Sequence, residues 1–274
     1  MNTSKYFFIS ILILYIEASP LTDKSFAYWL FGADMQKVKL DSLSSQGVTD
    51  LFLNYYVLKK NKEATVEAWI SKAKQLGIRV HIWMQAFNKG KWLNPIDKDV
   101  TKNSIKEAKR YAKIPGVSGV HLDYLRYPGT AYKNKGGTEA INNYVKNVVN
   151  EIHKINPNCL VSAALMPEKT DSKHYYGQDY DVISKYMNIV VPMIYKGNYG
   201  KQSHWIKETT SWYVKNSKGA KVWSGLQSYR SDKDTHTLTS SQLTTDVKSA
   251  LAGKPSGVAI FRWGITNYLN FKSL

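Results

Sequence analysis

Residues 119–129 read Gly-Val-His-Leu-Asp-Tyr-Leu-Arg-Tyr-Pro-Gly, an apolar run that ends on a carboxylate, an arginine and two tyrosines. Pro128 and Gly129 end the run by removing a backbone donor and favouring a turn. Asp123 is therefore expected at the open mouth of a strand, where a carboxylate can carry acid/base chemistry. Side chains alternate across a strand, so His121 shares the face of Asp123 and is placed to orient it. The same parity puts Ser162, Ala164, Met166 and Glu168 on one face of the following strand, with Glu168 at the neighbouring mouth. On the first strand Gly32 and Asp34 pair in this way, which makes Asp34 a third acidic candidate.

Two carboxylates at adjacent strand ends are what hydrolysis of a glycosidic bond requires. One protonates the leaving oxygen and the other is the nucleophile or the base for water. Arg126, three residues beyond Asp123, is expected to hold it ionised, since a nearby cation lowers a carboxylate pKa. That favours Glu168 as the proton donor, although the two roles can be exchanged. The plainer alternative makes Asp123 and Arg126 a structural ion pair, Glu168 a solvated loop residue and Asp34 a helix cap.

Rings and amides fall at the same strand ends: Asn54, Tyr56, Trp83, Gln85, Tyr195, Trp223, Gln227 and Trp263. Indole and phenol stack on the C–H faces of sugars, and amides bind hydroxyls. Each alone also fits core packing; a ring of them around six strands points to a sugar site. Arg262, beside Trp263, is placed to meet an acidic sugar. His81 lies deeper and reads as a core residue.

The elements that must position these residues alternate regularly. Apolar runs fall at residues 28–34, 50–56, 79–87, 117–124, 160–168, 189–195, 221–229 and 257–264. Most are nearly continuous hydrophobics, as in strands buried on both faces. Helical patterns lie between them, at 62–76, 101–112, 138–155, 203–216 and 240–251, with shorter ones at 38–46 and 180–186. Helix ends such as Leu76-Gly77-Ile78 run straight into the next strand, whereas strand ends open into longer aromatic loops. This asymmetry predicts an α/β fold, a single (β/α)8 TIM-type barrel over residues 21–274 with functional loops at the strand C-termini and a truncated last helix.

Composition sets the outer bounds. Met1–Lys5 is basic and residues 6–16 are apolar, the pattern of a signal peptide, so residues 1–20 are expected to be a leader and the protein to be exported, secreted or wall-associated. A membrane contact is expected only if that leader stays uncleaved. Cys159 is the single cysteine, which excludes an intrachain disulfide, and its apolar setting reads as core. The formal charge of +17 comes from scattered lysines, which suits an anionic wall glycan better than nucleic acid, since the latter usually needs a basic stripe or a known module. A monomer is expected. No His-x-His, HExxH or CxxC spacing suggests a metal, no Gly-rich loop a phosphate cofactor and no GxSxG elbow a serine hydrolase. Neither metal nor cofactor is expected.

At residues 119–128 the chain resembles the glycoside-hydrolase-like (β/α)8 families whose fourth strand ends in an Asp-Tyr-x-Arg-[Tyr/Phe]-Pro motif, matched here by Asp123, Tyr124, Arg126, Tyr127 and Pro128. Beyond residue 20 the chain also looks like secreted proteins of methanogenic archaea that live behind a pseudomurein wall. These resemblances imply a cell-wall glycan or surface polysaccharide as the substrate class, with Asp123 as the catalytic carboxylate. The Asp-x-x-Asp-x-Asp-x-Glu signature of chitinase-like barrels is absent, because position 119 is Gly and no Glu follows Asp123 by two. Together the readings point to a glycoside hydrolase; the alternative is a non-catalytic carbohydrate-binding protein on the same barrel.

Overall fold

The structure is a computed structural model that describes residues 24–266 and 269–274; the expected leader lies outside them. Eight parallel strands form the closed barrel: β1 (Ser25–Leu30), β2 (Asp50–Asn54), β3 (Arg79–Gln85), β4 (Gly119–Asp123), β5 (Leu160–Leu165), β6 (Ile189–Pro192), β7 (Lys221–Gln227) and β10 (Gly257–Phe261). Each pairs with its neighbour in sequence order, and β10 closes the ring on β1. The remaining strands, β8 (Tyr229–Ser231) and β9 (Asp234–Thr237), make an antiparallel hairpin outside the barrel.

Six of the eight expected strands start at the predicted residue, while β1 starts three residues earlier and β4 two residues later; the expected runs extend one to four residues past the observed C-terminal ends. The period of two holds only while the ladder continues. Residues beyond it take their direction from loops, which matters below for Asp34 and Glu168.

Helices wrap the barrel: α1 (Leu40–Ser45), α2 (Val57–Lys60), α3 (Glu63–Gln75), α4 (Lys98–Ala112), α5 (Gly137–His153), α6 (Asp171–Tyr176), α7 (Tyr180–Tyr186), α8 (Ser203–Asn216) and α9 (Ser240–Ala252). Two of them are fixed by their first residues. Asp97 caps α4 by accepting from the amides of Asp99 and Val100, starting it three residues before the expected Thr101. Thr239 and Gln242 form a reciprocal capping box on α9, satisfying amides that an uncapped helix would leave bare. Among the described residues after β10, a 3₁₀ turn at Phe271–Ser273 stands where the last helix was expected to be truncated. Its Phe271 stacks on Phe26 at 4.6 Å and so covers β1 where an eighth helix would lie.

Two apolar clusters hold the fold. One lies between barrel and helices; the other fills the barrel and includes Trp29, Phe52, Trp83 and Trp223. Toward the N-terminal end of the strands the filling turns polar. Arg79 donates to both oxygens of Asp50, at 2.8 and 2.7 Å, and His81 lies 2.9 Å from the same carboxylate. Gly119 makes room for this arrangement, because a Cβ there would meet His81 Nδ1 at 2.2 Å.

Candidate active site

The C-terminal mouth of the barrel opens into a cleft of about 640 Å³. Its floor is aromatic. Trp29, Trp83, Phe31 and Phe261 line it, with Phe31 stacked on Trp83 at 5.6 Å. Asp123 stands on this floor at the end of β4. Trp83 Nε1 donates to its Oδ2 at 3.0 Å, and the Tyr124 amide donates to its Oδ1 at 2.7 Å. That amide is aimed by a left-handed backbone at Tyr124, φ 51°, a conformation seldom taken by non-glycine residues and often found at working sites.

Burial raises the Asp123 pKa above the usual carboxylate range, and the Tyr124 amide, the Trp83 indole and the Arg126 charge offset this only in part. The expected ionising pair with Arg126 is not formed. Arg126 instead lies over the rings of Trp92, Tyr124 and Tyr176, 4.9–5.5 Å from their centroids, and donates to the Tyr127 carbonyl. A cation on rings leaves the carboxylate to its burial. Asp123 is thereby tuned toward holding a proton.

A second carboxylate lines the same cleft, and sequence reasoning missed it. Asp232 sits in the turn of the β8–β9 hairpin, which folds over the mouth. Its Oδ2 accepts from Asn198 Nδ2 at 2.8 Å and its Oδ1 from the Tyr229 hydroxyl at 2.8 Å. Its amide donates back to Asn198 Oδ1. The hairpin presses so close to residue 197 that a Cβ there would meet the Arg230 carbonyl oxygen at 1.6 Å, so only glycine fits. Tyr195 shares the cleft with both acids. Burial lifts its phenol well above the usual range, and the charges of Asp123 and Asp232 add to the effect. It stays a neutral donor. Asn198 and Tyr199, on the 196–200 loop that follows β6, form a wall of this cleft, as the place of that loop leads one to expect. Tyr229 also lines it and was absent from the expected site.

Of the other expected residues, Asn54, Tyr56, Trp83, Gln85, Arg126 and Tyr195 all line this cleft. Glu168 does not. It follows Pro167 beyond the end of β5, where alternation no longer applies. Its Oε1 accepts from Tyr199 at 2.6 Å and Tyr176 at 3.0 Å, while Oε2 is buried without a partner. Glu168 therefore lies behind the Tyr199 wall. Asp34 falls in a 3₁₀ turn, Gly32–Lys37, rather than on β1, and pairs with Lys37 at 2.9 Å and Arg262 at 3.5 Å.

Arg262 covers the Phe31 ring at 4.2 Å and is likewise outside the lining, as is Trp263, which packs against the outer core. Trp223 is fully buried inside the barrel. Gln227, also buried, accepts from the Gly197 amide and supports that loop. His121 does not reach Asp123. It accepts from Trp29 Nε1 at 3.1 Å, lies 2.8 Å from the Ser162 hydroxyl and stacks on Phe52 at 4.0 Å. Burial drives its pKa well below the usual value, so it is a neutral packing residue one layer down. Among the described residues no group of three or more His, Cys, Asp or Glu is placed to hold a metal ion.

The family model described as "Putative glycosyl hydrolase domain" matches residues 57–228. The chain belongs to this glycosyl hydrolase domain family. The matched stretch contains Asp123 and Glu168 and stops short of Asp232. Solved structures agree on the barrel. The glycoside hydrolase domain of PgaB (BpsB) from Bordetella bronchiseptica superposes with a TM-score of 0.70 at 10% identity, over 88% of this chain and 95% of that one. A class V chitinase from Pseudomonas fluorescens Pf-5 gives 0.68 at 15% identity, over 92% and 98%. An endo-1,4-β-D-mannanase from Thermotoga petrophila RKU-1 gives 0.63 at 13%, over 87% and 88%. At such identities the likeness establishes the fold of this glycosyl hydrolase domain and nothing finer. No curated protein sequence matches the chain.

Proposed function

We propose that this protein hydrolyses glycosidic bonds of an extracellular cell-wall or surface polysaccharide, using Asp123 as the proton donor. The observation that carries the reading is the environment of Asp123: a carboxyl on the floor of an aromatic cleft, partly desolvated, with a raised pKa and no ion pair to neutralise it. A general acid near neutral pH has to keep its proton until the leaving oxygen takes it. Trp83 and the Tyr124 amide then stabilise the carboxylate left behind, since hydrogen bonds to a charged acceptor are stronger than neutral ones.

The second carboxylate of the pair is Asp232, supported by its place on the same cleft and by its electrostatic reach to Tyr195. In this reading Glu168 positions the hydroxyls of Tyr199 and Tyr176. Sugar rings stack on Trp83 and Tyr56, and Asn54, Gln85 and Tyr195 bind hydroxyls or substituents.

The test is release of reducing ends from wall and surface polysaccharide preparations by the native protein and by D123N, D232N and E168Q. D123N should bind the polymer without cleaving it, and D232N should lose far more activity than E168Q. The reverse order for the last two would return the second role to Glu168. Binding with no turnover in any form would leave a carbohydrate-binding protein instead.

A further inference from the structure

Leaving the cleft past Tyr124, the surface carries a connected run of rings that no chemistry described so far uses. The Arg126 guanidinium bridges Tyr124 and Tyr176, 5.5 Å from each centroid. Tyr176 meets Tyr175 at 6.4 Å, Tyr175 meets Tyr132 at 6.3 Å, and Tyr132 stacks flat on His174 at 4.9 Å with an interplanar angle of 5°. Tyr132 and Tyr175 are 54% and 45% exposed, so both rings are within reach of a ligand from solvent. Tyr132 and His174 line a second hollow of about 450 Å³ together with Asn134, Thr138, Glu139 and Lys173. The run therefore links two concavities.

We infer that this run is a remote binding track for the same polymer, which extends from the cleft across Arg126, Tyr175 and Tyr132 into the second hollow and carries an acidic substituent opposite Arg126. The inference rests on the proposed carbohydrate substrate. Rings spaced along a path suit a chain of sugars, whose flat faces recur at each residue. The charge preference comes from Arg126. Among the described residues it forms no ion pair with a carboxylate, and its Nε is buried without a partner. A planar guanidinium held open by rings on its faces presents its edge to a carboxylate or similar anion. The formal charge of +17 adds a general attraction for polyanions, but the placement of the rings would decide where the chain lies.

Affinity electrophoresis in D123N tests this without interference from cleavage. The probes are polygalacturonate, alginate and hyaluronate, neutral mannan and glucan of similar length, and a single-stranded oligonucleotide, all at about 0.1 M salt to limit unspecific attraction. At least one acidic polysaccharide should retard D123N more than any neutral one. Adding Y132A and Y175A should weaken that retardation about tenfold with the net charge unchanged, and R126Q should abolish the preference for acidic over neutral chains. Both tyrosines are exposed, and an unaltered Tm confirms that the fold is intact.

Retardation that survives loss of both rings would overturn the track, as would an absence of any acidic preference or a stronger response to the oligonucleotide. Because binding is read in a silent variant, failure of the hydrolase reading would appear separately, as native protein that binds a polymer and never cleaves it.

Discussion

Asp50 and Asp123 are interior-facing aspartates of one barrel, at opposite ends of its axis, and burial pushes the pKa of both upward. At Asp50 it is outweighed. Hydrogen bonds from His81 and Arg79, with their charges, hold that carboxyl below the usual range. At Asp123 the donors are an indole and an amide, Arg126 is turned onto its rings, and burial wins. One aspartate is locked as an anion to tie β2 to β3; the other is left with affinity for a proton at an open cleft. Desolvation supplies the same push at both places, and the partners decide whether a buried acid serves structure or chemistry.

The largest expected effect is on turnover. D123N should lower kcat about 10²- to 10⁴-fold, read by reducing-end release, while the protein stays folded. D50N should do the opposite, costing about 3–5 kcal/mol of stability by stranding Arg79 beside His81, read by denaturant unfolding. A D50N protein of native stability, or a D123N protein that fails to fold, would break the contrast at once.

The contrast also has a pH signature. The folded pKa of Asp123 is raised, so its contribution to stability is complete below the unfolded value of about 3.9 and is lost as pH rises through the folded one. Asp50 is lowered, so its contribution is present above that same unfolded value and lost as pH falls through its folded pKa. Replacing Asp123 by Asn should therefore raise Tm at neutral pH, with the gain fading toward pH 4. The deficit of D50N should shrink only in stronger acid. Activity should fall on the alkaline side as Asp123 loses its proton. A W83F variant, which removes a donor to the carboxylate, should move that limb to higher pH.

The barrel was legible because eight buried strands each write a run of hydrophobics, and glycines and prolines punctuate the helices. Asp123 was legible for the same reason, being the last residue of such a run. Glu168 and Asp34 were misplaced when the period of two was carried past the last paired residue, into a Pro-led loop and a 3₁₀ turn. Asp232 was hidden differently. Residues 229–237 look like the tail of one strand and a polar loop, and the hairpin is recognisable only once Asn198 and Gly197 are seen to hold it. The signal that existed was Asp232 within Ser231-Asp-Lys-Asp234, a polar turn between short runs.

G197A tests that dependence at moderate cost. The added methyl cannot coexist with the Arg230 carbonyl, so loop and hairpin must separate. The expected loss of stability is about 1–3 kcal/mol, and activity should fall as Asp232 leaves the cleft, with KM for the polymer rising. Normal turnover in G197A would mean that the hairpin acid is a bystander.

The smallest effect is expected at the first strand. Asp34 is tied to Lys37 and Arg262 outside the cleft lining, and ion pairs near the surface contribute little to stability, about 0–1 kcal/mol. D34N should leave turnover within about twofold of native, the scale of such a small energy. Arg262 would keep its place over Phe31, since that contact uses the face of the guanidinium rather than the carboxylate. A tenfold loss in D34N would instead show that the Asp34–Arg262–Phe31 stack sets the position of the aromatic floor beneath Asp123, and the boundary between framework and chemistry would then have to be drawn one layer further out.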